Sequence, residues 1–144
     1  MTNDDTASEP LRYHVRLMVT HPSIDPDLIT NRLGLTPHRT WLAGTSRTTP
    51  VGRPLSGLYK ESYWGYSYGV EGNRYFSNDI LKMVCRLEAA SEFILGIVEG
   101  GGAVEMIINL PGSINIGDTI PWSCLERLAV LKIDLGFEVF PNFE

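Results

Sequence analysis

Three histidines and two cysteines are the groups in this chain best suited to hold a metal or to serve as nucleophile and base, and their spacing favours neither role. His14 falls on a strand pattern, and His21 and His38 fall in two separate loops. No pair has a helical ligand spacing, and Cys85 and Cys124 stand far apart, whereas zinc sites take paired Cys or His ligands at short intervals. There is no Gly-x-Ser-x-Gly elbow and no His-Glu-x-x-His. Gly100, Gly101 and Gly102 lie between a helical pattern and a strand pattern, the reverse of the order that aims amides at a phosphate. The expectation is no metal, no cofactor and no catalytic residue. Both cysteines, flanked by apolar residues, are expected to be buried thiols in a reducing compartment.

The groups that remain are suited to recognition. Aromatics crowd residues 59–70, where alternation puts Trp64, Tyr66 and Tyr68 on one side and Tyr59 and Tyr63 on the other. Such rings can stack bases, but stacking platforms come with basic grooves. This chain carries a formal net charge of −5 and a pI near 5.2. That balance argues against nucleic acid and anionic membrane and leaves a basic protein as a partner. Trp64, Tyr66 and Tyr68 are therefore expected in the core, and Tyr59 and Tyr63 at an interface, where aromatics are enriched.

The elements that must position these residues follow from periodicity. Residues 13–19 alternate as a half-buried strand, with Tyr13, Val15, Leu17 and Val19 on one face and His14, Arg16 and Met18 on the other. Asp25 is placed to cap a helix starting at Pro26, Ile24 and Ile29 have the spacing of a hydrophobic staple, and Gly34 supplies the left-handed stop after Leu33. Residues 40–43 read as a brief strand. Residues 44–57, rich in Thr, Ser, Arg and Gly with two prolines, have no period and read as a loop.

Residues 59–70 alternate as a strand, and residues 79–98 carry a long helical stripe capped by Ser77 or Asn78. Residues 104–110 alternate again. Ser123 to Glu126 has the form of a capping box for a short helix, and residues 133–140 form the last strand. This order predicts an α+β two-layer sandwich, with a four- to five-stranded, largely antiparallel sheet and helices packed on one face. If residues 40–43 pair, the first six elements have ferredoxin-like order. Residues 11–144 read as one domain behind a polar, acidic, disordered tail of residues 1–10. The tail has no apolar run and no stretch approaches a membrane span, so the expected location is the cytoplasm.

The run from Ile24 to Gly44 followed by residues 59–64 resembles a family of small, mostly bacterial proteins known as domain of unknown function four-two-seven-nine. The residues that carry the resemblance are Asp25, Pro26 and Ile29, the Leu33-Gly34 stop, the Pro37-x-Arg39-x-Trp41-x-x-Gly44 turn, and Trp64. The long 46–58 loop and Phe140 depart from the usual pattern. The resemblance implies an α+β fold without established catalytic residues, and some members look like immunity proteins encoded beside secreted toxins.

Together these readings give a non-enzymatic binding protein, an immunity protein that blocks a basic toxin's active site with the sheet face turned away from the helices. That face is expected to collect His14, Arg16, Met18, Tyr63, Glu105, Ile107, Asn109, Asp134 and Glu138, with Tyr59 beside it and Arg47 and Arg53 on the 45–58 loop. The alternative is a self-associating housekeeping domain, a homodimer through the same sheet, with a small-molecule site near Trp41.

Overall fold

A computed structural model describes residues 11–72 and 74–141, apart from the side chains of residues 11 and 12. The expected disorder of residues 1–10 lies outside them. The elements are β1 (Leu11–His21), α1 (Pro26–Leu33), β2 (Arg39–Trp41), β3 (Ser46–Thr48), β4 (Pro54–Leu58), β5 (Ser62–Glu71), α2 (Phe76–Glu88), α3 (Ser91–Glu99), β6 (Ala103–Pro111), α4 (Trp122–Val130) and β7 (Ile133–Phe140).

The five-stranded sheet has the order β2-β5-β1-β6-β7. Every neighbouring pair is antiparallel except β6 with β7, which are parallel across the α4 crossover. Strands β2, β5, β1 and β6 therefore reproduce the split βαβ arrangement expected from element order, and β7 extends it. On one face, Tyr13, Val15, Leu17 and Val19 of β1 join Trp64, Val104, Met106 and Ile108 and the buried sides of all four helices in one apolar cluster. Trp64 is fully buried there, and its indole N–H donates to Thr30 Oγ1 at 3.0 Å.

α1 starts and stops as its residues dictate. The Asp25 carboxylate accepts from the Asp27 amide at 2.9 Å, and Gly34, at φ 67°, donates its N–H to the Thr30 carbonyl. At the entry to β6, a Cβ on Gly102 would stand 2.5 Å from the Thr20 carbonyl oxygen, so the strand reaches its place beside β1 only with glycine there.

Six local expectations are corrected. The 44–57 stretch is not a loop: β3 and β4 pair as a separate two-stranded hairpin around Thr49-Pro50-Val51-Gly52, where the Gly52 amide donates to the Thr49 carbonyl and Gly52 has φ 88°. Every residue of its strands is exposed, so neither face carries an apolar period to read. The 59–70 strand begins only at Ser62, and Tyr59 sits in the link from β4 to β5.

The long 79–98 helix is two helices, α2 and α3. Ala90 leaves helical geometry at φ −120° and ψ 33°, although alanine is the best helix former, so tertiary packing and not propensity breaks it. α2 starts at Phe76, with no cap from Ser77 or Asn78. Instead Asp118, from the β6–α4 connection, accepts from the Ser77 amide at 3.0 Å. α4 starts one residue before the expected capping box, at Trp122, with Pro121 at the cap making no side-chain bond. Of the two cysteines, Cys124 is buried but Cys85 is exposed, its sulfur accepting from Arg127 Nη2 at 3.3 Å where α2 meets α4.

Candidate functional site

The sheet face opposite the core is assembled by strand register. β2 brings Arg39 and Trp41 to it, and β5 brings Tyr63 and Gly65. β1 adds His14, Arg16 and Met18, β6 adds Glu105, Ile107 and Asn109, and β7 adds Asp134, Gly136 and Glu138. The face has two halves of opposite character.

On the β6–β7 half, Met18, Glu105 and Asp134 lie side by side across three strands, as do Arg16, Ile107 and Gly136. Arg16 Nη1 reaches over β6 to Glu138 Oε1 at 3.6 Å, and its Nη2 lies 3.2 Å from Met18 Sδ. This bridge spans the strand that carries Ile107 and Asn109, which are only 7% and 8% exposed although they lie on the face away from the helices. Ile107 is thus a floor beneath charged side chains. Glu105 and Asp134 stand next to it with Glu138.

The β2–β5 half is aromatic. β2 places Trp41 opposite Tyr63, and their rings stack at 4.4 Å between centroids and 21° between planes. Tyr59 stacks on the same indole at 4.6 Å and 10°. Two rings at such distances cannot share one face of an indole, so Tyr59 and Tyr63 enclose it. The Trp41 N–H donates to the Glu61 carbonyl at 3.0 Å, and the Arg39 guanidinium carbon lies 4.9 Å from the indole centroid. Tyr63 also lies flat over its own strand: a Cβ on Gly65 would come within 2.5 Å of the Tyr63 hydroxyl.

Thr48 of the hairpin ties this stack down. The Tyr59 hydroxyl donates to the Thr48 carbonyl at 2.9 Å and accepts from the Thr48 amide at 3.1 Å, and Arg39 Nη2 donates to the same carbonyl at 2.9 Å. The Thr48 amide, then its hydroxyl, then the charge of Arg39 favour the phenolate, so Tyr59 ionises below a tyrosine's ordinary range. Arg47 Nη1 donates to the Ser56 carbonyl across the hairpin at 3.1 Å. Between Trp41, Arg47, Leu58, Tyr59, Lys60 and Glu61 lies a shallow cleft of about 290 Å³.

The structure brings together Arg39, Trp41, Tyr59, Tyr63 and Arg47 at one end, and Arg16, Met18, Glu105, Ile107, Asp134 and Glu138 at the other. Arg53 sits beyond the hairpin turn, its amide donating to Thr49 Oγ1 at 3.0 Å. Asp25, Pro26 and Gly34 serve the ends of α1, Gly44 turns at φ 83°, and Trp64 belongs to the core. Among the described residues no three His, Cys, Asp or Glu side chains converge to hold a metal, and no helix is long and apolar enough to cross a membrane.

A polar cluster on the core side escaped the sequence. Asp79, in the first turn of α2 and 1% exposed, accepts from the Tyr13 hydroxyl, from the Tyr68 hydroxyl at 3.0 Å and from Arg74 Nη2 at 2.6 Å. Burial first, and then the Asp79 carboxylate, push both phenols well above a tyrosine's ordinary range. The available signal was Asp79 adjoining the apolar stripe of its helix, beneath two tyrosines on apolar strand faces.

Fold and surface together define an α+β domain of ferredoxin-like strand order, extended by one parallel strand, with a sheet face that nothing covers among the described residues. Residues 11–140 match the family described as Domain of unknown function (DUF4279). The chain belongs to this family. No curated protein and no solved structure matches it.

Proposed function

We propose that this domain is a non-enzymatic protein-binding module, acting in the bacterial cytoplasm as an immunity protein that covers the active site of a basic toxin. The observation that carries the reading is one continuous sheet face with a pre-stacked aromatic end and an acidic end. Trp41 and Tyr59 are held by hydrogen bonds to Glu61 and Thr48, and Tyr63 by its stack on Trp41, before any partner arrives, so little ordering entropy is lost when they dock. Glu105, Asp134 and Glu138, on a chain of net charge −5, favour approach of a cationic surface. Inhibition is steric: the face lies over the toxin's site and excludes its substrate.

The test is the triple variant Glu105→Lys, Asp134→Lys, Glu138→Lys, with association measured against salt. The expected result is an association rate lower by about tenfold or more, with a flatter salt dependence and a normal melting curve. Unchanged association would remove the acidic half from the interface. A second reading, self-association with a small molecule in the cleft beside Trp41, rests on that cleft alone. Light scattering separates the two, because a stable homodimer through this face would leave no free surface for a toxin.

A further inference from the structure

Strand β5 is covered unequally on its two sides. β1 pairs with it from Ser62 to Glu71, but β2 pairs only opposite residues 63–65. The His38 amide donates to the Gly65 carbonyl at 2.8 Å, so the backbone of Gly65 points outward. In a strand, alternate residues share that direction, so the backbone groups of Ser67 and Gly69 point the same way. The β2–β5 register, carried two residues further, puts Pro37 opposite Ser67. Proline has no N–H to donate, and the pairing stops there. Among the described residues no strand lies along the outer side of Ser67 and Gly69.

Beside that bare edge, on the helix side, is a cleft of about 180 Å³ between Leu35, Tyr66, Tyr68, Lys82, Met83 and Arg86. Its floor is apolar and aromatic and its rim is cationic. Arg86 is immobilised, donating through Nε to the Leu33 carbonyl at 3.3 Å and through Nη2 to the Gly34 carbonyl at 3.1 Å. Lys82 is exposed and forms no ion pair among the described residues. Small residues at 67 and 69 keep the opposite side of the edge low.

We propose that this edge accepts an extended segment of a partner protein as an added strand. The segment's backbone pairs with Ser67 and Gly69, and its alternate side chains enter the cleft, an apolar one over Leu35 and Met83 and a carboxylate between Lys82 and Arg86. Charge complementarity selects the occupant: two cations with no acid between them call for an acidic strand and repel a basic one. The site is separate from the surface assigned to the toxin and stands independently of that assignment.

The experiment is an NMR titration of the ¹⁵N-labelled full chain with the peptide acetyl-Thr-Val-Thr-Glu-Thr-Val-amide, whose valines and glutamate share one strand face, and with acetyl-Thr-Val-Thr-Lys-Thr-Val-amide as its opposite. The expected result is saturable shifts and slowed hydrogen exchange at the Ser67 and Gly69 amides with the glutamate peptide only. Lys82→Glu, on an exposed helical surface, should keep the rest of the spectrum and weaken that binding about tenfold or more. No response at Ser67 and Gly69, a response confined to other residues, or equal binding of the two peptides would overturn the proposal.

Discussion

Two aromatic clusters lie on opposite faces of the same sheet and use the same residue types to different ends. Beneath the helices, Tyr13 and Tyr68 direct both hydroxyls at the buried Asp79, with Arg74 completing the set, and Phe76 packs edge-on against Tyr13 at 6.1 Å. On the other face, Tyr59 and Tyr63 enclose Trp41, each ring half-buried, with Trp41 and Tyr59 tied to backbone groups of Glu61 and Thr48. Inside, the polar ends of the rings are consumed by a charge that has nowhere else to go. Outside, ring surface remains available. Satisfied hydrogen bonding therefore marks the first cluster as holding the fold, and rigid exposure marks the second as recognition surface.

The largest expected effect comes from the inner cluster. Asp79→Ala leaves two buried phenols and a guanidinium without their acceptor and should cost about 3 kcal/mol by chemical denaturation, while partner binding by the folded fraction is unchanged. A cost below about 1 kcal/mol would mean that the cluster is not what fastens α2 to the sheet.

Trp41→Ala should invert that pattern. Losing the middle ring removes two stacking contacts, about 2 kcal/mol of stability by the same assay, and lowers partner affinity more than tenfold. Gly65→Ala should act more gently. The new methyl group would stand within 3 Å of the hydroxyl and of two ring carbons of Tyr63, so the whole ring shifts and affinity falls a few-fold with a smaller loss in the melting curve, and equal losses of both would make the ring purely structural.

The two clusters should also separate in an alkaline absorbance titration. Tyr59 should ionise first. Tyr13 and Tyr68, whose folded-state values lie above tyrosine's ordinary 10.0, should stay neutral until the protein opens. Their contribution to stability is complete below pH 10 and declines as pH rises above it, because the unfolded chain then releases protons that the folded one retains. If Tyr59 titrated together with Tyr13 and Tyr68 in the folded protein, the contrast between the clusters would collapse.

Much of the frame was legible because local and tertiary demands agree. The strict alternation of β1 and β7, the Asp25-Pro26 start and Gly34 stop of α1, and the element order that yields β2-β5-β1-β6 are all written in short-range pattern. The open face was legible too, since strand period alone assigns Arg16, Met18, Tyr63, Glu105, Asp134 and Glu138 to it. What failed depends on contacts distant in sequence. Asp118 caps α2 from 41 residues away, Ala89 and Ala90 give no local reason for the break between α2 and α3, and a hairpin with no buried face has no apolar period. Thr49-Pro50-Val51-Gly52 was the one signal for that hairpin, with proline and glycine at turn positions. Register also cannot report that Arg16 and Glu138 roof Ile107, so charged replacements at Ile107 would disturb the sheet itself, and Tyr63 and Trp41 are the cleaner probes.

The most direct test is affinity purification of the tagged protein with its neighbouring genes co-expressed, run in parallel on the wild type, Trp41→Ala and the Glu105, Asp134, Glu138 triple lysine variant. The account predicts one basic partner at stoichiometric yield, toxic when expressed alone, retained by the wild type and lost from both variants. Recovery of the protein by itself, or of a partner that all three retain equally, would contradict it.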